Sequence, residues 1–416
     1  MKPAGRGRGP GNPMRPAAQA GGLFLVALAI RLLVALPPPV PEADAADYLR
    51  LAQGLRAGSG YVDTAGRPTA FRPPLYPLFL ALTGPDVRVA VVLQSVAGAA
   101  NCLLAVALAS RWLAGPAPWL AGLLLALDPV HASASSRLLS EILYQTLFLL
   151  SLLALDPARS PRRALASGVL SGLGLLARTA ALPVLLVMLA VWAWRDGPRV
   201  KAGLLFLLGA ILAVSPWLAR NARAMGAPVL STQGGITLYS SYRPPQGRIF
   251  GVLIFDDEVA RAQAGGEVAA DRQLTRAAVR EAAAHPLRTL RLAVLKVAFL
   301  WVPIDWEIRR PPGLLSPAYL FALPLALWTV ATRPRSLHPV PLLLLALTLF
   351  SAVVYGSPRL RLPYDPLVYT LAAGLLAANM NRTLLWLWAA ACLALGLAGE
   401  APRLAARVVA RHLGWW

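Results

Sequence analysis

Apolar runs approaching the length of a membrane span recur along this sequence, and they constrain its fold more than any other feature. The first is GGLFLVALAIRLLVALPPPV. Others lie near 87–110, 116–127, 139–155, 163–178, 180–194, 201–217, 314–332, 339–355, 363–379 and 383–399, separated by short polar connections. Lipid offers no partner to a backbone N–H or C=O, so such runs fold as helices that satisfy themselves. Each span takes about 20 residues. Only 14% of the residues are charged, against about 25% in soluble chains. The chain therefore reads as an all-α polytopic membrane protein, a bundle of roughly 10–13 transmembrane helices.

The net charge of +21 has a membrane explanation. The basic residues sit mainly in short connections, where they set topology and meet anionic lipid or phosphate. No basic patch interleaved with aromatics is present, so nucleic acid is not an expected partner. Residues 1–19 form a Gly/Pro-rich basic tail, expected to be disordered and cytoplasmic. The first apolar run holds Arg31 and lacks a small-x-small cleavage site, so it reads as a retained helix. The connections SRWLAGPAP, DPARSPRR and WRDGPRVK then fall in the cytoplasm, and LDPVHASASSR and ARTAALP fall outside. The expected division is a transmembrane core over 20–217 with a first external loop at 38–86, an external loop with interfacial helices over 218–312, and closing helices over 313–416. The stretch 287–304 either spans or lies in the interface with Arg288, Arg291 and Lys296 facing water. Gly168 and Gly172 form a GxxxG pair, extended by Gly174, that admits a close helix neighbour.

Two cysteines, Cys102 and Cys392, lack a CxxC partner, and there is no HExxH or GxxxxGK[ST]. No zinc site or P-loop is expected. Chemistry concentrates instead on one side of the membrane. Charges at membrane depth are costly unless paired, so acids and arginines gathered at one face imply a polar cavity. In the first loop, DAADYLRLAQGLRAG reads as an amphipathic helix with Tyr48, Leu51, Ala52 and Leu55 in its apolar stripe. Asp44 at its start either points into the bundle or serves as an N-cap, and Asp47 is placed to favour the helix dipole. In RPTAFRPPLYPLFLAL, prolines fix the backbone around Arg72 and Tyr76, which suits either a cavity lining or a simple re-entry. Glu141 is either a site acid or a first-turn acid. Arg359 and Arg361 are either phosphate ligands or headgroup anchors. Arg178, Arg220 and Asn221 lie at the same face.

Taken together, DAADYLRLAQGL, GRPTAFRPPLYPLFLA, LLSEILY, ARTAALP, SPWLARNARAMG and RLRLPYDP resemble, in order, the motifs of polyprenyl-phosphate-sugar-dependent glycosyltransferases of the GT-C fold, relatives of protein O-mannosyltransferases and of the lipid A aminoarabinose transferase. The resemblance runs from about residue 20 to 380. It implies an inverting hexosyl- or pentosyltransferase of the cell envelope that moves a sugar from a polyprenyl phosphate to an extracytoplasmic protein, lipid or glycan. It implies Asp44 as general base with Tyr48 after it, and Glu141 as the second acid. Relatives often carry an adjacent Asp-Glu pair, whereas here Glu42 and Asp44 are separated by Ala43. Glu42, Asp47, Tyr48, Arg72, Tyr76, Arg178, Arg220, Asn221, Arg359 and Arg361 are the expected substrate ligands. A divalent cation among Glu42, Asp44 and Glu141 is left open. The competing class is a transporter or flippase of a lipid-linked or anionic substrate, which predicts internal repeats and midplane charges. Neither is visible.

Overall fold

The computed structural model describes residues 14–36, 44–155, 160–193, 198–243, 253–309, 312–332 and 339–376, with a few isolated positions beyond. Glu42 lies outside the described residues, as do residues 1–13 and most of the last apolar run; the tail expected to be disordered over 1–19 is instead helical from Met14 onward.

The described part is helical apart from one hairpin. Helix α1 (Met14–Val34) crosses beside the central α4 (Val87–Ala109). Between them in sequence lie α2 (Asp44–Arg56) and α3 (Leu75–Leu82), which pack on each other. Then come α5 (Ala117–Leu127), α6 (Pro129–Ser136) and α7 (Glu141–Ala154). Asp128 caps α6 by accepting from the Val130 N–H at 2.9 Å, with Pro129 in the first turn. Helices α6 and α7 meet at 114°, so one apolar stretch is broken and Glu141 stands at the break.

Helix α8 (Pro161–Ala177) packs along α10 (Pro198–Met225), with α9 (Leu182–Ala193) between them in sequence. The expected close approach is present. A Cβ on Gly168 would stand 1.9 Å from the Phe206 carbonyl oxygen, and one on Gly172 2.6 Å from that of Ala210. Next come α11 (Gln233–Tyr242), α12 (Asp257–Ala264) and α13 (Glu267–Ala284), which share a small apolar core of Ile236, Tyr239, Val259, Ala262, Ala270 and Leu274. Helix α14 (Pro286–Trp301) leads to the antiparallel pair β1 (Ile304–Arg309) and β2 (Pro312–Leu315). Helices α15 (Pro317–Thr332), α16 (Val340–Val353), the single turn α17 (Pro358–Arg361) and α18 (Asp365–Leu376) complete the described chain.

Among the described residues, α1, α4 and α10 are long and apolar enough to cross a membrane, and the bent α6–α7 pair makes a fourth candidate. Shorter apolar helices include α5, α15 and α16. Exposed leucines and valines along α1, α4 and α10 are what a lipid-facing surface requires. The protein is an integral membrane protein.

One sequence expectation is corrected. Lys296 on α14 does not face water. It is fully buried, donates to the Val353 carbonyl at 3.0 Å, and lies 4.0 Å from the centre of the Tyr242 ring. Arg288, by contrast, remains partly exposed and pairs with Glu281.

Candidate active site

The first loop sets the geometry. Asp63 accepts from the Ala65 and Arg67 N–H groups and closes a tight turn in which Gly66 has φ 74°. The Tyr61 hydroxyl donates to the Arg72 carbonyl at 2.8 Å. Pro73 and Pro74 follow and stiffen the exit into α3. Arg72 is thereby held 6% exposed, its guanidinium over Phe71 and Tyr48.

Asp44 is the first residue of α2. Its side chain turns to two arginines. Oδ1 accepts from Arg72 Nη2 at 2.6 Å, and Oδ2 from Arg359 Nη2 at 3.3 Å. Arg72 Nη2 also reaches Asp47 Oδ2 at 2.9 Å, and its Nη1 donates to Gln233 Oε1 at 3.1 Å. Arg359 continues to Glu141, with Nη2 2.6 Å and Nε 2.8 Å from Oε1. Arg178, just after α8, reaches the same oxygen at 2.8 Å. Glu141 is buried, and its Oε2 has no partner among the described residues. One connected set of three acids and three arginines thus joins the first loop, the α6–α7 break, the end of α8 and α17.

Burial alone would raise the Asp44 carboxyl, but Arg72 and Arg359 outweigh it and hold the group well below the ordinary 3.8. Asp44 is therefore ionised throughout the neutral range. Its side chain keeps 31% exposure, so a ligand can reach it. Tyr48 packs edge-on against Tyr76 at 4.9 Å and forms part of the floor.

An apolar groove of about 710 Å³ lies among helices that also carry residues of this set. Leu55, Leu75, Phe79, Leu143, Leu147 and Leu173 are among the residues that line it, from α2, α3, α7 and α8. Three of those helices begin at or just after Asp44, Arg72 and Glu141.

Other expected site residues stand elsewhere. Arg361 points away from Arg359. Its Nη1 is 2.8 Å from both Asp365 oxygens, and its Nε and Nη2 donate to the Leu300 and Val302 carbonyls. Arg220 donates to the carbonyls of Thr69 and Tyr61 at 2.7 and 2.6 Å. Asn221 holds the Val229 carbonyl at 2.7 Å. The Tyr76 hydroxyl is buried and donates to Gln94. Among the described residues, none of these four makes a hydrogen bond or ion pair to the acid–arginine set. Gln233 was not anticipated. Nothing in VLSTQGG marks it, because its partner Arg72 lies 161 residues away.

Asp128, His131 and Asp365 place ligand atoms within 4.8 Å of one another. The donor set argues against a cation there. Arg361 covers both oxygens of Asp365, Tyr369 donates to Asp128 at 2.5 Å, and His131 Nε2 lies 3.2 Å from Asp365. The protein already supplies this group's positive charge and donors.

No protein-family model and no curated protein matches the sequence. Solved structures do match. ArnT from Cupriavidus metallidurans in the apo state aligns over 95% of this chain, with TM-score 0.56 and 14% identity. The same protein bound to undecaprenyl phosphate aligns over 95%, with TM-score 0.55 and 15% identity. The chain has the fold of ArnT. This is the GT-C helical bundle that the ordered motifs led us to expect. The chain spans about 65% of the length of the ArnT chains it matches.

Proposed function

We propose that this protein is a membrane glycosyltransferase that takes a sugar from a polyprenyl-phosphate donor and transfers it, with inversion, to an acceptor outside the cytoplasm. The observation that carries the reading is the linked set Arg72–Asp44–Arg359–Glu141–Arg178, on helices that also line an apolar groove. A polyprenyl phosphate needs both halves of that arrangement. Its chain would lie in the groove and its phosphate would meet the arginines, whose planar forks suit phosphate oxygens. An ArnT of the same fold has been solved with undecaprenyl phosphate, which supports the same class of carrier here.

The reaction then divides among named groups. Asp44 accepts the proton of the acceptor's O–H or N–H. The freed electron pair forms a bond to the anomeric carbon on the face opposite the phosphate. The bond from that carbon to the phosphate oxygen breaks, and its pair leaves on polyprenyl phosphate. Arg72 and Arg359 stabilise the growing charge on that oxygen. Glu141 Oε2, buried and without a donor among the described residues, would accept from a sugar hydroxyl. Binding of the phosphate would draw Arg72 and Arg359 from Asp44, so the base gains proton affinity when the donor arrives.

The activity is tested by incubating purified protein with a panel of polyprenyl-phosphate sugars and measuring free polyprenyl phosphate. Absence of release from every sugar, with and without candidate acceptors, counts against the proposal. Orientation is tested separately. A cysteine at exposed Ser59 should react with an impermeant thiol reagent in intact cells, and one at Arg162 should not. The reverse pattern would put the site on the cytoplasmic side.

A further inference from the structure

Helices α11–α13 look at first like a separate unit carried on the bundle, suited to choosing an acceptor. Their contacts with the first loop have a different logic. Glu267 opens α13, where an acid ordinarily serves its own helix dipole. Its oxygens are committed elsewhere. Oε1 accepts from the Ala70 N–H at 2.8 Å and from the Thr232 hydroxyl, and Oε2 accepts from the Thr69 hydroxyl at 2.7 Å. Among the described residues Glu267 makes no ion pair.

The opposite side of the same backbone stretch, residues 69–71, is held as firmly. Arg220 donates to the Thr69 carbonyl at 2.7 Å, the Thr232 N–H to the Ala70 carbonyl at 3.1 Å, and the Ser231 hydroxyl to the Phe71 carbonyl at 2.9 Å. Residues 69–71 are therefore gripped between α10, α11 and α13, and the next residue is Arg72. The α11–α13 junction is itself fixed. Asp271 accepts from the Gly235 N–H at 2.5 Å, and a Cβ on Gly235 would stand 2.1 Å from the Asp271 carbonyl oxygen.

We propose that Glu267 is a positioning residue for Arg72. It fixes the 69–71 backbone so that the guanidinium meets Asp44, which makes α11–α13 part of the donor-side machinery. A partly buried carboxylate holding a buried backbone N–H is costly to remove, because the N–H loses its acceptor. The catalytic consequence rests on the glycosyltransferase reading, whereas the mechanical one does not.

The test uses the full chain in lipid nanodiscs, with Glu267→Ala and Glu267→Gln. Hydrogen exchange is followed in the peptides covering 69–73 and 267–284, and kcat and KM are measured for donor cleavage. Glu267→Ala should speed exchange at 69–71 by about tenfold or more and lower kcat about 10–100-fold, the scale of a catalytic group displaced by about 1 Å. Glu267→Gln keeps a carbonyl oxygen for Ala70 and Thr232 and should restore most of both. Exchange that rises only in 267–284 would mean Glu267 merely serves its own helix. A loosened 69–71 with unchanged kcat would overturn the positioning role. If the wild-type protein cleaves no donor, the glycosyltransferase reading falls, and the exchange result still decides whether Glu267 holds the loop. Should Glu267→Ala fail to fold, Thr232→Val removes a single bond of the clamp. No change in 69–71 exchange there would equally refute the proposal.

Discussion

Arg359 and Arg361 sit two residues apart in one short turn, and their side chains meet different partners, a difference that mutation should expose. Arg359 is 14% exposed and bridges Asp44 and Glu141. Arg361 is buried and spends its guanidinium on Asp365 and two carbonyls. If Arg359 grips the donor phosphate as proposed, Arg359→Met removes a charge-assisted contact worth about 1.5–3 kcal/mol. Undecaprenyl phosphate should then bind about 10–150-fold more weakly. Stability should change little, since Arg178 still faces Glu141. Arg361→Met instead leaves Asp365 with His131 alone and strips donors from Leu300 and Val302. Breaking a buried pair on one side costs about 3–5 kcal/mol. The melting temperature should fall by several degrees, while protein that remains folded binds the lipid phosphate normally. Thermal unfolding and lipid-phosphate titration on the same nanodisc samples provide the readouts. Weakened binding by Arg361→Met at an unchanged melting temperature, with normal binding by Arg359→Met, would refute the assignment.

Asp44→Asn should reduce kcat by roughly 10²–10⁴-fold with little change in donor affinity, as loss of a general base does. Near-normal turnover would leave Asp44 only a structural partner of Arg72. Because its two arginines hold Asp44 below 3.8, the free enzyme should keep its activity down to that range. Arg72→Gln removes one of them, so the acid limb of kcat/KM should move to higher pH, and an unmoved limb would assign it to another group. Burial pushes Lys296 down to about 7 from 10.5. The unfolded chain therefore binds the extra proton between those values, and stability should rise with pH across that window. Lys296→Met should abolish that slope in thermal unfolding, and a persisting slope would trace it elsewhere.

Much of this was legible in the sequence, and the exceptions have physical causes. The bundle followed from apolar runs that admit no other backbone solution in lipid. Asp44 was expected at the site through the family resemblance and Arg72 through the prolines around it, and the two side chains do meet at 2.6 Å. Arg361 was expected beside Arg359 and pairs instead with Asp365, although the local signal was there. Ser357 caps the turn by accepting from the Arg359 N–H at 3.1 Å, with Pro358 next. In a helix so begun, positions two apart point to different sides. What sequence could not say was which side faced Asp44. Lys296 shows a similar conflict. It shares a stripe with the buried Leu292, Phe299 and Leu300, so periodicity buried it while its charge argued for water. The outcome was set by the Val353 carbonyl and the Tyr242 ring, both more than 50 residues distant. Glu267 resembled any first-turn acid because two of its three partners, Thr69 and Ala70, lie nearly 200 residues away.

The charge count of the site carries one more consequence. Among the described residues, Asp44, Asp47 and Glu141 stand against Arg72, Arg178 and Arg359. A polyprenyl-phosphate sugar is a phosphodiester and brings one negative charge. The product is a monoester, and its second ionisation, with a pKa of about 6, adds further charge at pH 7. The same arginines should therefore hold the product more tightly than the donor, by about tenfold for about 1.4 kcal/mol of extra attraction. Polyprenyl phosphate should act as a competitive inhibitor with Ki below the donor's Kd, and its advantage should shrink as pH falls through 6. Arg359→Met should reduce that advantage more than it weakens donor binding, because the charge that distinguishes product from donor is the one it meets. Donor and product binding equally across pH 5–8 would show that the arginines do not face the leaving oxygen, and the assignment of the phosphate end of the site would have to be abandoned.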